Sequence, residues 1–350
     1  MGFKGRRFRK IVLLAIILAV VYSFLPLLPF WLMEGADLDD NNEANVNKLS
    51  GNKGSYFSFI VMGDSHNGLI FNDAATLKEI WHINREDRFR KVPIDFVIGV
   101  GDVALHFKES HFRAFKKMQK LIKWPVITAI GNHDDRELFE KYCGMKEFGF
   151  SNRNSYFIVL DNEGGELTEV QFTWFEDQLT RGQAYEHIFV FMHKPPFDPY
   201  QQEWYNMDNS PWAYRFRKLC AKYNVDMVFS GHKHMFKHEV FDDVDYIVTG
   251  GGGMLIEIPE ADGGYLHYVR VMVNHDYVTY EVRKVSPPLW EYVTYYFWKE
   301  LMYWVRNWYG SGYIFTRNTK IEPLKVSGLN DEEYWFKGLL EKGTPHSGTP

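Results

Sequence analysis

Short apolar runs that alternate with stretches of helical periodicity constrain the fold of this 350-residue chain more than any other feature. Runs of strand length occupy residues 56–62, 94–100, 126–130, 156–160, 188–192, 225–229, 245–249, 266–273 and 277–282. Helices are predicted between them at residues 73–83, 110–122, 169–179 and 211–223. The third helix begins with a capping box, Thr168 and Gln171, and the fourth with Ser210 before a proline. Strand–helix alternation that ends in strands alone predicts a layered α/β fold with antiparallel strands at its end.

Five short polar segments lie at or just after the ends of these predicted strands. They are Gly63-Asp64-Ser65-His66, Gly101-Asp102-Val103, Gly131-Asn132-His133-Asp134, His193 within a Met-His-Lys-Pro-Pro run, and Gly231-His232-Lys233-His234. Glycine allows a sharp turn off a strand, and loops at strand carboxyl ends are where α/β sheets place their sites. A single histidine is more often a core or capping residue, so the prediction depends on all five segments occurring in order.

The side chains of these segments offer mixed oxygen and nitrogen donors and no thiolate. A ligand set of two aspartates, one asparagine and several histidines suits Mn, Fe, Zn or Co rather than a cysteine zinc site or a calcium cage. A carboxylate can bridge two cations, and two cations about 3.5–4 Å apart stabilise both the attacking and the leaving oxygen of an in-line displacement. The donors therefore predict a metal site for displacement chemistry.

With these five segments the chain resembles the calcineurin-like metallophosphoesterase superfamily over roughly residues 56–284. The run 131–136, GNHDDR, resembles the branch of bacterial phosphodiesterases that act on small diesters. The resemblance implies a four-layer α/β/β/α sandwich that hydrolyses a phosphomonoester or phosphodiester with a hydroxide activated by two divalent metal ions, Mn, Fe or Zn. By the same comparison of motifs, purple acid phosphatases are excluded, because Leu105 occupies the place of their metal-binding tyrosine and they lack the equivalent of His66.

The resemblance also implies a role for each site residue. His133 is expected to act as general acid or transition-state donor, with Asp134 orienting it. Asp102 is expected to bridge the two metals. The expected metal ligands are Asp64, His66 and His234 for the first ion, Asn132, His193 and His232 for the second, and Asp102 for both.

The N-terminal region has the pattern of a membrane anchor. Residues 11–33 carry no charge and are long enough for a transmembrane helix, which needs about 20 residues. Five basic residues precede them and predict a cytoplasmic N-terminus, with the rest of the chain on the other side of the membrane. A cleaved signal peptide is an alternative, although the apolar run is longer than the usual 7–15 or so residues and Glu34 disrupts the nearest cleavage pattern. A buried core helix is a further alternative.

The chain is accordingly predicted to divide into four parts. These are a basic segment and anchor at 1–33, a flexible polar tether at 34–54, a catalytic domain at 55–285 and an aromatic-rich extension at 286–350. Residues 290–309 contain ten aromatic side chains, six apolar residues of the segment forming one helical stripe. This predicted helix either docks on the domain or lies at the membrane surface, where it would favour a phospholipid or lipid-linked phosphate as substrate.

Charge and cysteine content argue against several other classes of protein. The first ten residues carry five positive charges, so the remaining 340 sum to −10, which disfavours a metallo-nuclease and nucleic acid as a partner. A non-catalytic scaffold of the same fold is disfavoured because no expected ligand is missing. Two cysteines exclude a disulfide-rich scaffold, and Cys143 and Cys220 are expected either to pair or to remain buried thiols.

Further residues near the predicted site also bear on its interpretation. Arg136 and Lys194 either steady a substrate phosphate or are ordinary surface charges. His106 and His111 are predicted not to be ligands. Residues 249–253, Thr-Gly-Gly-Gly-Gly, lack the spacing of a nucleotide-binding loop and are predicted to form a structural turn at the rim of the site.

Overall fold

The structure, a computed structural model, describes residues 37–88, 92–199, 210–254 and 260–286, together with Leu14, Phe30, Leu32, Met33, Ile256 and Ile258. All of them belong to the first of two units, Met1–Glu291, and the second, Tyr292–Pro350, lies outside the described residues. The predicted aromatic helix at 290–309 and nearly all of the predicted anchor at 11–33 therefore lie outside them as well. Within the described part of the chain, no helix is both long and apolar enough to cross a bilayer.

The described residues form eleven strands in two sheets. The strands are β1 (Tyr56–Met62), β2 (Ile94–Gly99), β3 (Val126–Thr128), β4 (Phe148–Asn152), β5 (Ser155–Val159), β6 (His187–Phe191), β7 (Met227–Ser230), β8 (Phe236–Phe241), β9 (Val244–Thr249), β10 (His267–Asn274) and β11 (Tyr277–Lys284). The first sheet has the order β11-β10-β1-β2-β3 and the second β4-β5-β6-β7-β9-β8. In the first sheet the parallel strands β1, β2 and β3 form one half and the antiparallel strands β10 and β11 the other. In the second sheet a parallel centre lies between the antiparallel edge strands β4 and β8. The chain's last described pair, β10–β11, is antiparallel as predicted.

The described residues also form two single-turn 3₁₀-helices, Glu86–Arg88 and Glu260–Asp262, and six α-helices. The α-helices are α1 (Asn42–Leu49), α2 (Ile70–Ile83), α3 (Glu109–Gln119), α4 (Arg136–Cys143), α5 (Glu169–Gly182) and α6 (Pro211–Lys222). The capping box of Thr168 and Gln171 at the start of α5 is confirmed. Ser210 is the N-cap residue of α6, but its side chain makes no capping hydrogen bond.

Apolar clusters hold these elements in layers. The largest cluster lies between the sheets and includes Phe59 of the first sheet and Phe157 of the second, whose rings meet edge to face at 5.4 Å. Helices α5 and α6 pack on the outer face of the second sheet, and α2 packs on the outer face of the first. The predicted mixed α/β fold with two sheets is confirmed.

Cys143 and Cys220 are both free and buried, so the alternative of a disulfide between them is wrong. Cys143 lies in a cluster formed mainly by α3 and α4, whereas Cys220 lies in the cluster between α6 and the second sheet. Burial holds the pKa of both thiols well above the ordinary value, which keeps them protonated.

The prediction of a flexible tether at 34–54 is wrong for residues 42–49, which form α1 and dock against the edge of the first sheet. The Asn42 side chain donates to the Thr128 carbonyl at 2.9 Å and accepts from the Thr128 N–H at 2.9 Å. Asn45 donates to the Val126 carbonyl at 2.9 Å. These amides supply the hydrogen bonds that a neighbouring strand would give to β3, so the polar sequence is used to cover a sheet edge.

Four elements were not predicted. Helix α1 was taken for tether, and α4 has only eight residues, with Asp135 capping two backbone N–H groups. Strands β4 and β8 are edge strands with weak apolar alternation, since β4 contains glycine, serine and asparagine and β8 contains lysine, histidine and glutamate. Short elements stabilised mainly by tertiary packing give little periodic signal.

Candidate metal centre

The five predicted segments converge at the carboxyl ends of β1, β2, β3, β6 and β7. Backbone hydrogen bonds join neighbouring loops: the Asp64 N–H donates to the Gly101 carbonyl at 3.1 Å, and the His66 N–H donates to the Asp102 carbonyl at 2.9 Å. On the second sheet, the Gly231 N–H donates to the His193 carbonyl at 2.9 Å. The parallel strands of the two sheets thus bring together side chains that are up to 170 residues apart in the sequence.

Four residues of these loops have left-handed backbone conformations. They are Asp64, His66, Asp102 and His232, with φ values of 60°, 44°, 53° and 66°. Few non-glycine residues adopt this region, and strain of this kind is concentrated at functional sites, where the surrounding structure holds it in place. Glycines beside them are needed for close approach, since a Cβ on Gly131 would lie 2.1 Å from Oδ1 of Asp102 and one on Gly231 would lie 2.3 Å from Oδ2 of Asp64.

Asp64, His66 and His234 form a first cluster whose donor atoms all lie within 4.8 Å of one another. Nε2 of His234 is 3.6 Å from Oδ1 of Asp64, and Nε2 of His66 is 3.9 Å from the same oxygen. The Asp64 carboxylate accepts the His232 N–H at 3.0 Å and 3.1 Å, which fixes its orientation. These three are the residues predicted for the first metal.

Asp102, His193 and His232 form a second cluster, again with donor atoms within 4.8 Å of one another. Nδ1 of His193 donates to the Val100 carbonyl at 2.9 Å, which leaves Nε2 directed into the cluster. That nitrogen is 2.9 Å from Oδ1 of Asn132 and 3.2 Å from Oδ2 of Asp102. All four residues predicted for the second metal therefore lie together.

Asp102 connects the two clusters. Its Oδ2 is 3.4 Å from Nε2 of His66 and 3.2 Å from Nε2 of His193, while its Oδ1 accepts the His133 N–H at 2.8 Å. A carboxylate between two donor sets is the arrangement that a bridging ligand requires.

Burial and charge in this centre suit cations. Burial lowers the pKa of His234 to about 4 and places those of His66 and His232 well below the ordinary value, so the imidazoles are neutral, the form that binds metal. Both ring nitrogens of His66 are buried and form no hydrogen bond with any residue that the structure describes. Burial would also raise the pKa of Asp102, but the neighbouring His193 and His66 outweigh it and hold the pKa well below the ordinary value. The donor set fits two divalent cations.

The pKa shifts of Asp64 and His193 indicate which charge a bound cation would supply. Burial, only partly offset by His193, raises the pKa of Asp64 well above its ordinary value. Burial would lower the pKa of His193, but the charge of Asp102 raises it to about 9. The buried carboxylates thus hold a proton on His193, at the position where a metal ion would supply the same charge.

His133 and Asp134 are neighbours in the sequence but make different contacts near the two donor clusters. The half-buried ring of His133 lies 4.8 Å from the ring of His66. The buried Asp134 carboxylate accepts N–H groups from Gly131 and Ala104 at 2.9 Å and from Val103 at 3.3 Å. Asp134 thereby joins the loops after β2 and β3, and burial raises its pKa to about 7. Its predicted action on the His133 ring stays a prediction.

Asn162 is a residue of this centre that the sequence did not identify. It is buried in the loop after β5, and its Oδ1 accepts the N–H groups of His193 at 2.9 Å and Lys194 at 3.1 Å. Its Nδ2 donates to the Lys194 carbonyl at 2.7 Å. The available signal was a polar residue soon after a predicted strand, which is too common to single it out.

The structure also describes the contacts of Arg136, of the glycine run and of two further histidines. Arg136 forms ion pairs with Asp161 at 2.6 Å and Glu163 at 2.9 Å, which favours its interpretation as a surface charge. In the glycine run, the Gly252 N–H donates to the Gly63 carbonyl at 2.7 Å, so the run packs against the first metal loop as a structural turn. His106 and His111 belong to neither donor cluster.

A two-sheet α/β fold that gathers two clusters of carboxylates and imidazoles at its strand ends defines a phosphoesterase-type metal protein. The family described as calcineurin-like phosphoesterase matches residues 57–236, more than half of the chain. The chain belongs to this family.

Individual relatives agree with this assignment. The human protein named serine/threonine-protein phosphatase CPPED1 is 28% identical over 153 residues, which cover 37% of this chain and 48% of that protein. A protein of Rhodopseudomonas palustris described as a probable cyclic nucleotide phosphodiesterase is 27% identical over 167 residues, which cover 43% of this chain and 60% of that protein. The chain thus matches about half to three fifths of the length of these relatives.

Among solved structures, the purple acid phosphatase PPD1 of yellow lupin superposes with a TM-score of 0.52 at 16% identity. The superposition covers 66% of this chain and 52% of the lupin chain. At this identity the likeness shows a shared fold.

Proposed function

We propose that the protein is a metal-dependent phosphohydrolase that cleaves a phosphomonoester or a phosphodiester. The observation that carries the proposal is the position of Asp102, whose Oδ2 lies within 3.4 Å of an imidazole nitrogen from each donor cluster. Two divalent cations bound there would lower the pKa of water and stabilise negative charge on the phosphoryl group.

The chain's own residues would divide the remaining work. Asp64, His66 and His234 would hold one cation and Asn132, His193 and His232 the other, with Asp102 shared. The half-buried His133 ring, beside His66 and open to solvent, would donate a proton to the leaving-group oxygen. Asp134 and Asn162 would keep the loops that carry His133 and His193 in place through their backbone hydrogen bonds.

Metal content and hydrolysis test this proposal together. Purified protein supplied with Mn²⁺ is expected to contain about two ions per chain and to hydrolyse p-nitrophenyl phosphate or bis(p-nitrophenyl) phosphate. Asp102→Ala should abolish hydrolysis and metal binding, whereas Asp177→Ala, which changes an exposed carboxylate on α5, should alter neither. Full activity of Asp102→Ala would overturn the proposal, and a chain that binds no metal would favour a scaffold.

We further infer that residues 11–33 anchor the protein in a membrane as a single span, with the N-terminus cytoplasmic and the catalytic body on the opposite side. The uncharged run and the five preceding basic residues support this orientation. Phe30, near the end of the run, is buried against α2 and α3 at 4% exposure, so the run ends against the folded body.

Membrane extraction and intact mass distinguish the alternatives for this segment. An anchored chain should stay with membranes in alkaline carbonate and retain its full mass. A mature chain that begins after residue 33 would instead identify a cleaved signal peptide, and release of the full-length chain by carbonate would favour a core helix.

A further inference from the structure

The loops after β1 and β2 leave the metal centre side by side and end in exposed apolar residues. The Asn67 N–H donates to the Val103 carbonyl at 2.9 Å, and the Leu105 N–H donates to the Asn67 carbonyl at 3.1 Å. Leu69 lies two residues after Asn67 and is 41% exposed, and Phe107 lies two residues after Leu105 and is 52% exposed. Together with Phe71, 39% exposed in the first turn of α2, they form what we call the apolar rim.

The apolar rim borders the open side of the centre. The His106 ring, next to Phe107, lies 6.2 Å from the ring of His133. Gly68, next to Leu69, has a positive φ of 113° and no room for a Cβ, which would lie 2.3 Å from the His111 ring. Large apolar side chains on these adjacent loops are therefore exposed next to residues that lie near His133, and a group of exposed apolar side chains beside a site is typical of an interaction surface.

Phe30 relates this rim to the predicted anchor. Its ring packs in a cluster with Ala74 and Ile80 of α2 and Met118 of α3, and Nζ of Lys117 lies 5.8 Å from the ring centroid. The rim is at the N-terminal ends of these same two helices, whereas Met118 lies near the C-terminal end of α3. At 1.5 Å per residue, the contacts of Phe30 lie about 6–15 Å along α2 from residue 70 and about 16 Å along α3 from Phe107.

Phe30, near the end of the uncharged run, is therefore held on the same two helices as the rim, about 6–16 Å from it along their axes. Residue 30 is three residues from the end of the run, at a depth where a span meets the headgroups, and each headgroup layer is about 5–8 Å thick. Lys108 is exposed beside Phe107, and Lys117, which also interacts with the buried Asp73, lies beside Phe30. Cations at these two positions suit a surface that faces lipid phosphates.

We propose that the apolar rim of Leu69, Phe71 and Phe107 inserts into the headgroup layer of the membrane that holds residues 11–33, so that the metal centre takes phosphoesters of lipids at the bilayer surface. This proposal rests on the proposed anchoring and hydrolysis and narrows the substrate to an amphiphile whose phosphoester lies at headgroup depth. The rim would hold the opening of the centre at that depth, and the substrate would reach it without leaving the bilayer.

Spin labels on the full-length protein test the position of the rim without using activity. The protein is reconstituted in vesicles of phosphatidylcholine and phosphatidylglycerol, with a nitroxide on Leu69→Cys, Phe107→Cys or the control Val170→Cys, which lies at the start of α5 on the second sheet. The native cysteines are buried and label poorly. Labels at 69 and 107 should be accessible to oxygen and shielded from a water-soluble nickel chelate, whereas the label at 170 should show the reverse. Equal exposure of all three labels to the chelate would overturn the proposal.

Hydrolysis then tests the substrate class. The ratio of the rate on phosphatidylglycerol or phosphatidic acid in vesicles to the rate on soluble bis(p-nitrophenyl) phosphate should fall about tenfold in Leu69→Asp/Phe107→Asp, the change that one buried apolar side chain is worth. An unchanged ratio, or no hydrolysis of either lipid by the wild type, would overturn it. A wild type inactive on every ester would instead defeat the proposed function, and a chain that does not float with the vesicles would defeat the anchor.

Discussion

Oδ2 of Asp102 lies 3.2 Å from Nε2 of His193, and both groups are almost completely buried. The two residues come from different sheets, so this contact joins the carboxyl end of the first sheet to that of the second. Burial of an aspartate and a histidine at this distance is costly unless each charge is compensated. A pair of bound cations would provide that compensation, and the same atoms would then act as ligands.

Metal stoichiometry should follow the division into two clusters. His234→Ala removes a donor from the first cluster alone, so it should lower the metal content from about two ions per chain to about one. Asp102→Ala removes the group common to both clusters and should lower it to near zero. Elemental analysis after dialysis measures this, with His238→Ala on β8, whose ring pairs with Asp245, as the matched histidine control. Equal losses in the two cluster variants would contradict a shared Asp102.

Asn162 should act as a positioning residue for His193. Asn162→Ala removes the acceptor for two backbone N–H groups in the loop that carries the ligand, so metal affinity should fall about 10–100-fold, as for other outer partners of metal ligands. Titration with Mn²⁺ should show this loss, and saturating Mn²⁺ should restore much of kcat. Asn154→Ala changes a surface amide that bonds Glu186 and should leave the affinity unchanged. A fall in kcat at saturating metal without a change in affinity would refute the positioning role.

The sequence predicted the metal centre better than the loops that support it. Asp64, Asp102 and His193 each follow a strongly apolar strand, and parallel strands bring such positions to one edge. The left-handed conformations of Asp64 and His232 leave only a weak trace in residue type, because Asp and His adopt this region more often than most non-glycine residues but are far more often found elsewhere. The sequence around Asn162 does not indicate its role either, because that role depends on hydrogen bonds to backbone N–H groups 31 and 32 residues away.

Helix α1 shows why part of the fold was not predicted. Asn42 and Asn45 lie in a polar segment, and polar segments are usually solvated, so the sequence favoured a tether. In the structure both side chains are buried and bond the backbone of β3. Such use of an amide depends on a partner about 80 residues away, which local patterns do not record.

The contacts of Asn42 should contribute substantially to stability. Asn42→Ala removes hydrogen bonds to both backbone groups of Thr128 and to the Met145 carbonyl, and leaves a buried N–H unpaired. The free energy of unfolding should fall by about 2–4 kcal/mol. Urea denaturation measures the change, and Asn47→Ala on the exposed side of α1 should be within about 0.5 kcal/mol of wild type. Similar effects of both substitutions would mean that α1 does not dock through Asn42.

Glu79 should make the protein less stable as the pH rises. It is 1% exposed on the face of α2 that packs on the first sheet, and neither carboxylate oxygen has a hydrogen-bond partner among the described residues. Burial raises its pKa well above the ordinary 4.5. The unfolded chain therefore releases this proton near pH 4.5, whereas the folded protein keeps it. From there up to the raised pKa, the folded state binds more protons, and the contribution of Glu79 to stability falls by up to about 1.4 kcal/mol per pH unit.

Substitution of Glu79 should remove this dependence. Glu79→Gln cannot ionise, so the difference in unfolding free energy between the variant and the wild type should grow in favour of the variant above pH 4.5. Glu79→Met, which removes the buried polar atoms at similar length, should be more stable than wild type at neutral pH by about 1–3 kcal/mol. Urea denaturation across the pH range, with Mn²⁺ present throughout, gives both quantities, and Glu137→Gln on the exposed side of α4 is the control. Parallel pH profiles for wild type and Glu79→Gln would show that Glu79 is ionised in the folded protein, because only a shifted pKa makes the two curves diverge.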